Sequence, residues 1–287
     1  MRQMLFPENP ERLAECLREM PESGKIICGG TDLIIEIRKG KLDPACLVDV
    51  SQMPAMKKIM PLDGGLYLGG ACVFDEIARA PAARPYRGLV QAADAIGSRQ
   101  IRNKGSIAGN LVNHSPAGDM FLALLALAAH VHLLDATGQE SGLPVEDFVG
   151  GEKKLSRRQA ILGIWLPAYP EPFCSAFVKL GDRRAVSIAR ISAAAKAELT
   201  PRGELCRVRV ALGAVGKTAF RARRAETLLE GRGSREELAG ALGEALAEEI
   251  AESIPDRASL PYKKEAVKGL AEDLWTRLLA GGQAIAK

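Results

Sequence analysis

Apolar residues recur along the chain with two periods, and each change of period marks a new element. Leu13, Cys16, Leu17 and Met20 stand at helical spacing after Asn9-Pro10, predicting a helix over residues 10–20 with Asn9 as N-cap. Residues 25–28 form a short strand pattern. A Gly29-Gly30 turn follows, then a helix carrying Leu33, Ile34 and Ile37, with Thr31 as cap, Asp32 in its first turn and Gly40 as its stop. Residues 46–50 read as a buried strand, and residues 57–60 and 66–68 as two strands around the turn Asp63-Gly-Gly. Phe74–Arg79 is a short helix, and residues 86–97 another that turns Leu89, Val90, Ala93 and Ile96 inward. Ser115 as N-cap and Pro116 as first helical residue predict a helix over 116–128. Strands at 130–134 and 161–166 flank a turn-rich connection over 139–154.

The run Pro167-Ala-Tyr-Pro-Glu-Pro172 marks a boundary. Beyond it, residues 173–180, 186–199 and 204–212 have strand patterns, and residues 222–229, 235–253 and 263–279 have helical ones. Strands first and helices last is an α+β order. The expected division is a first domain over residues 1–168, with subdomains 1–55 and 56–168, and a second over 173–287.

Composition narrows the function. The chain is 47% hydrophobic and 26% charged, as for an ordinary globular protein. Aromatic residues are 5%, too few for a surface that stacks nucleic-acid bases, and the net charge of +4 is too mild and dispersed for a nucleic-acid partner. The densest basic cluster, Arg221 to Arg224, lies on a predicted helix with Glu226 and Glu230 and reads as a solvated face. The longest apolar run, residues 120–134, is too short to span a bilayer. The first residues have no signal-peptide pattern, so the six cysteines read as reduced thiols of a cytoplasmic protein. No two cysteines form a Cys-x-x-Cys pair, which leaves zinc and iron–sulfur ligation unsupported.

Two glycine segments carry the chemistry. Residues 101–127 pack Gly105, Gly109, Gly118, Ser106, Ser115 and three asparagines into a polar stretch ahead of an apolar helix. Glycine removes the Cβ that would bar a ligand from the backbone, and backbone amides in a turn or at a helix start attract anions. Taken alone, that stretch is explained slightly better as a polar connection with a well-capped helix after it. The second diglycine, Gly29-Gly30, also stands before a helix, and two such loops suit the two phosphoryl groups of a diphosphate. Neither is a Walker A loop or a Rossmann Gly-x-Gly-x-x-Gly, so the ligand class is a dinucleotide on another scaffold.

The pair Cys28-Gly-Gly-Thr-Asp-Leu33 and Ser106-Ile-Ala-Gly-Asn110 resembles the two flavin loops of the FAD-binding medium subunit of molybdenum hydroxylases, the xanthine dehydrogenase and carbon monoxide dehydrogenase type. The similarity continues through Asn113-His-Ser-Pro-Ala-Gly-Asp119, Lys179-Leu-Gly-Asp-Arg-Arg-Ala185, Val210-Ala-Leu-Gly-Ala-Val215 and Arg221-Ala-Arg-Arg-Ala-Glu226, and so covers nearly the whole chain. The resemblance implies an α+β fold: a two-subdomain α/β FAD-binding domain of the PCMH type, similar to vanillyl-alcohol oxidase, then a C-terminal α+β domain with an antiparallel sheet and helices. It implies that FAD is held by Ile26, Ile27, Cys28, Gly29, Gly30, Thr31, Asp32 and Leu33 on one side. Ser106, Ile107, Ala108, Gly109 and Asn110 lie on the other, with Ile96, Asp119 and Lys179 adding to the pocket. Asp119 matches an aspartate that contacts the nucleotide part. Ala108 stands where relatives carry glycine, which demands negative φ and a Cβ turned from the ligand. Ser106 replaces a common threonine, and Ser187 a common aspartate near the flavin ring. Lys179, Arg183 and Arg184 suit either an anionic reduced flavin or surface ion pairs.

The implied role is electron transfer within a complex. Substrate is hydroxylated on a large molybdopterin-binding subunit, and electrons pass through the [2Fe–2S] clusters of a small subunit to FAD here, then to NAD+, a quinone or oxygen. No catalytic side chain and no metal ligand is expected on this chain. A self-contained FAD-dependent oxidoreductase and a cofactor-free scaffold remain as alternatives. His114, Ser115 and Asp119 are too close in sequence for a hydrolase triad and lack a nucleophile elbow. His130 and His132 share one face of a strand without a third metal ligand.

Overall fold

The computed structural model describes residues 3–150, 155–183, 186–233 and 237–283. In chain order the elements are β1 (Gln3–Leu5), α1 (Pro10–Glu19), β2 (Lys25–Ile27), α2 (Leu33–Arg38), β3 (Cys46–Asp49), β4 (Ile59–Leu62) and β5 (Gly65–Gly69). Helices α3 (Phe74–Arg79), α4 (Arg87–Ala95), α5 (Arg99–Arg102), α6 (Ile107–Val112) and α7 (Asp119–Ala126) follow. Then come β6 (His130–Asp135), β7 (Glu140–Pro144), α8 (Val145–Gly150), β8 (Gln159–Leu166), β9 (Phe173–Gly181), β10 (Ala189–Leu199), β11 (Leu205–Gly213) and β12 (Phe220–Arg221). Helices α9 (Arg223–Leu229), α10 (Leu238–Ser253) and α11 (Leu260–Gln283) close the chain.

Three sheets result. The first is parallel, in the order β1-β3-β2, with α2 in the crossover from β2 to β3 that a parallel pair requires. Asn9 Oδ1 accepts from Arg12 N–H at 2.8 Å, so α1 is capped as its sequence predicts, and Leu13, Ala14, Cys16 and Leu17 are buried. The second sheet is antiparallel, β4-β5-β8-β6-β7. Asp63 (φ 49°) and Gly64 (φ 74°) turn β4 into β5, the paired positive φ of a tight hairpin. The third sheet, β12-β11-β10-β9, is antiparallel and buried on both faces. One face, with Ala193, Ala195 and Val210, meets α10 and α11; the other, with Phe177, Ala194 and Ala211, packs into the core around α7. Every residue of α7 is buried, as a helix apolar all round must be.

Several expectations change. Helix α7 starts at Asp119, not Pro116, and Ser115 does not cap it. Ser115 Oγ accepts from Ala117 N–H (3.3 Å) and its carbonyl from Gly118 N–H (2.9 Å), making a local turn. The Pro116 carbonyl is taken by Ala214 N–H at 2.7 Å, and Asn110 Oδ1 accepts from Phe121 N–H at 3.2 Å. Ser106–Asn110 is not a loop but the start of α6, with Ser106 as N-cap accepting from Gly109 N–H (3.2 Å). Thr31 does not cap α2; Asp32 occupies the N-cap position without a side-chain bond, while the Thr31 hydroxyl faces the Asp32 carboxylate at 3.4 Å. The turn-rich stretch after residue 139 contains β7 and α8, its last residues lying outside the described residues together with Arg184, Ala185 and Arg235. The strand expected from Val186 starts at Ala189.

The basic cluster is a solvated face only in part: Arg223 and Arg224 are more than half exposed, and Arg221 is the exception. Arg221 is largely buried and pairs with Glu226 at 2.7 Å and Glu146 at 3.3 Å; Arg223 reaches Glu146 at 2.6 Å. Glu146 thereby ties α8 to β12 and α9. All six cysteines are free.

Candidate cofactor site

A cavity of about 780 Å³ opens where the first sheet, the second sheet's helices and the third sheet meet. That volume lies in the range of small-molecule and cofactor pockets, about 300–1,000 Å³. Ile26, Ile27, Cys28, Gly29, Gly30, Thr31, Asp32 and Leu33 line it from β2 and the turn into α2. Ser106, Ala108, Gly109 and Asn110 line it from α6, Ile96 from the end of α4, Asp119 from α7 and Lys179 from β9. Ile107 does not; it is fully buried and points into the core behind the site.

The two glycine segments touch. A Cβ built on Gly29 would fall 1.8 Å from the Lys104 carbonyl oxygen, so glycine is required there by the close approach of the second segment. Gly30 has φ 68°, which lets the chain turn from β2 into α2. The first intrahelical bond runs from Ile34 N–H to the Gly30 carbonyl at 3.1 Å; the amides of Thr31, Asp32 and Leu33 have no acceptor among the described residues. Such amides are open to an anionic ligand.

The second segment differs from the expectation that both loops offer free amides. Ile107 N–H donates to Cys72 O (3.0 Å), Ala108 N–H to Gly70 O (3.1 Å), and Gly109 N–H to its own cap Ser106. Its amides hold α6 against the second sheet, leaving the edges of Ala108 and Gly109 and the side chains of Ser106 and Asn110 facing the cavity. Ala108 meets the condition set by its methyl group: it is helical, and a Cβ built on Gly70 would lie 3.2 Å from the Ala108 Cβ, placing that methyl against the sheet.

Charge enters at Asp119. Its carboxylate is 5% exposed, and Oδ2 pairs with the Lys179 ammonium, which also donates to the Ala95 carbonyl at 2.9 Å. Burial pushes the Asp119 carboxyl up to about 6, with Lys179 pulling the other way. Its other oxygen, Oδ1, is buried without a hydrogen-bond partner among the described residues. Burial also raises the Cys28 thiol, against the opposing effect of the Ser106 hydroxyl, so it stays a thiol rather than a nucleophilic thiolate. His114 stacks on Phe148 with ring centroids 5.3 Å apart, and His132 meets Glu140 at 2.8 Å and Tyr67 at 3.2 Å. His114 and Asp119 are thus engaged separately, and no hydrolase triad forms.

Of the lining residues from β8 and the connection before β10, only Ser187 is singled out in the sequence, by the resemblance. Val186, Ser187 and Ile188 reach the mouth from the connection before β10, and Ala160 and Ile161 come from β8. Arg183 turns to the Val186 carbonyl at 2.9 Å. Gly97 (φ 44°), at the end of the helix expected over residues 86–97, also lines the wall.

The residues fit a dinucleotide with a diphosphate: a turn free of Cβ atoms with open amides, apolar walls, and one orphaned carboxylate oxygen. The comparisons define the class. The family described as FAD binding domain in molybdopterin dehydrogenase matches residues 1–169, and that described as CO dehydrogenase flavoprotein C-terminal domain matches residues 176–278. The chain belongs to this family of FAD-binding oxidoreductases, and its cofactor is FAD. More particularly, it is similar to the nicotinate dehydrogenase FAD-subunit of Eubacterium barkeri, 28% identical over 278 residues that cover 95% of this chain and 93% of that protein. The carbon monoxide dehydrogenase medium chain of Hydrogenophaga pseudoflava is 24% identical, covering 94% of this chain and 96% of that one. In fold, a solved carbon monoxide dehydrogenase from Hydrogenophaga pseudoflava superposes with a TM-score of 0.86 at 23% identity, over 98% of each chain.

Proposed function

We propose that this chain is the electron-transfer subunit of a molybdenum-containing hydroxylase, acting in the cytoplasm beside a large molybdopterin subunit and a small [2Fe–2S] subunit. Electrons taken from substrate on the large partner pass through the small one to FAD in the cavity, then to NAD+ or another acceptor. The observation that carries this reading is the cavity itself, closed by two touching glycine segments and by Lys179 of the third sheet. In this reading residues 1–168, with subdomains 1–55 and 56–168, form the cofactor-binding domain, and residues 173–287 close it from the other side.

FAD supplies the redox chemistry when bound. The protein's own residues bind and orient. The open amides of Thr31 to Leu33 receive the diphosphate, with the Gly29-Gly30 turn giving it room. Ser106 and Asn110 offer hydrogen bonds from the facing side. Asp119 accepts from a donor on the cofactor. Ile96 gives the cavity an apolar wall, and the exposed Val186 and Ile188 stand at its mouth. Cys28 is held as a thiol by burial, and the Asp119 carboxylate is paired with Lys179; in this reading substrate activation belongs to a partner.

The test is anaerobic. The isolated flavin-loaded chain is expected to stay oxidised when given an aldehyde or a purine, and its visible flavin bands to bleach once the large and small partners are added. Bleaching by an organic substrate in the partner-free, metal-free chain would make it a self-contained enzyme instead.

A further inference from the structure

At the end of α7 away from Asp119 lies a second cavity, about 200 Å³ in volume, which shares no lining residue with the first. Leu124 and Leu125 line it from the last turn of α7, Ala128 and Ala129 from the link to β6, and Pro144 and Val145 from the junction of β7 and α8. Its polar lining is His130, Glu146, Asp147 and Arg209, the last reaching in from β11 of the third sheet. One water takes about 30 Å³, so the space suits a molecule of several heavy atoms and excludes a nucleotide.

Arg209 is under-paired in this cavity. Its side chain is only 25% exposed. Burial and the neighbouring Arg221 both act against its charge, with Glu146 and Glu226 pulling the other way. A guanidinium carries five N–H donors. One reaches the Leu125 carbonyl at 3.4 Å, where the Ala128 amide already donates at 3.3 Å. Glu146 is 3.6 Å away, too far for a hydrogen bond, and is engaged by Arg221 at 3.3 Å and Arg223 at 2.6 Å. Two more carbonyls on the lining are also taken, Leu124 by Ala129 N–H at 3.0 Å and Ala129 by Val145 N–H at 2.8 Å. The remaining guanidinium donors have no acceptor among the described residues. Within this cluster three arginines, 209, 221 and 223, face two carboxylates, Glu146 and Glu226.

We propose that this second cavity binds a small monocarboxylate with a short apolar tail, its two oxygens held by the Arg209 guanidinium and its tail against Leu124, Ala128 and Val145. A planar guanidinium matches the two oxygens of a carboxylate, and such charge-assisted pairs are the stronger hydrogen bonds. The six apolar residues of the lining suit a tail and not a second charge. Glu146 and the exposed Asp147 on the same lining count against a multiply charged anion such as phosphate. His130 Nδ1, buried without a hydrogen-bond partner among the described residues, is a further polar atom on this wall. The inference does not depend on the cofactor reading, since the two cavities are separate.

The experiment is calorimetric titration of the full chain loaded with FAD, so that the first cavity is filled. Acetate, butyrate, inorganic phosphate and chloride are compared at one pH and matched ionic strength. Butyrate is expected to bind one site, in the millimolar to high-micromolar range set by so few atoms. Acetate is expected to bind more weakly, by about fourfold for each methylene lost. Phosphate and chloride are expected to give no saturable heat. Arg209→Lys keeps the charge but not the paired donors, and is expected to weaken butyrate by at least about tenfold. If that variant does not fold, judged by circular dichroism, Arg209→Gln keeps a donor for the Leu125 carbonyl and gives the same reading. No saturable butyrate binding would overturn the proposal, leaving the cavity to water. Equal binding of phosphate, or of acetate and butyrate alike, would overturn the assigned ligand class. Undiminished butyrate binding in the folded Arg209 variant would place the ligand elsewhere and overturn the site.

Discussion

Gly30 and Gly109 serve the same cavity for different reasons. At Gly30 the backbone is at φ 68°, and an added Cβ would meet Ile34 Cγ1 at 3.0 Å. A branched side chain there is strained, and it also presses on Ile34 and Ile27, which hold the turn beside the open amides of Thr31 to Leu33. Gly109 has ordinary helical φ, and its added Cβ would lie 3.0 Å from the Ser106 hydroxyl that caps α6. Valine at 109 therefore pushes the cap off its amide, a loss of about 1 kcal/mol typical of N-caps, and crowds the cavity. Both Gly30→Val and Gly109→Val are expected to fold and to purify without flavin. The ratio of visible flavin absorbance to protein checks this; stoichiometric flavin in both folded variants would rule out the two-segment site. The glycines themselves were legible in the sequence, because few other residues explain such a pattern. Their division of labour was not, since it depends on which carbonyls, Cys72 and Gly70, lie opposite the second segment.

At the scale of elements, the third sheet shows how a strand pattern hides a polar requirement. Glu226, at the start of α9, accepts from Val210 N–H at 3.1 Å and from Arg221 Nε at 2.8 Å, and its pair with Arg221 is nearly dry at 9% and 11% exposure. Removing one partner of a buried pair leaves the other charge uncompensated. Glu226→Ala is expected to cost about 3–5 kcal/mol, read from denaturant unfolding of the variant against the wild type. A change near zero would place Arg221 in solvent, as its sequence context had implied. The strands and helices with clean periodicity, such as α1, the β4–β5 hairpin and the β9–β11 meander, were legible because local pattern and tertiary burial agree. Strand β7 was not, because Glu140-Ser-Gly-Leu-Pro144 has turn composition and is a strand only by pairing with β6. Helix α6 was hidden by Gly109 within it, and β1 by its length of three residues. The walls supplied by Ile161, Val186 and Ile188 come together only through tertiary packing, which no local pattern encodes.

Over the whole molecule, the cavity and the core make the same demand. The core cluster around α7 draws Leu89 and Ala93 from α4, Ile164 and Leu166 from β8, and also Phe173, Phe177, Ala194 and Ala211 from the third sheet. Residues 1–169 alone would lose those last four and uncover a helix whose every residue is buried in the full chain. They would also lose Lys179, leaving the Asp119 carboxylate buried and unpaired. Each change alone is a familiar cost: uncovering one large apolar side chain about 1.5–3 kcal/mol, and stripping a buried charge of its partner about 3–5 kcal/mol. Together they exceed a large part of the ordinary net stability of a domain, about 5–15 kcal/mol. The matched families thus divide between residues 169 and 176 in sequence, but the molecule is not expected to come apart there. The full chain should unfold in one thermal transition, with circular dichroism and flavin release coincident, and residues 1–169 should be expressed as an aggregating or flavin-free species. Two resolved transitions in the full chain, or a soluble fragment 1–169 holding stoichiometric FAD, would show that the third sheet is an attachment and not part of the site.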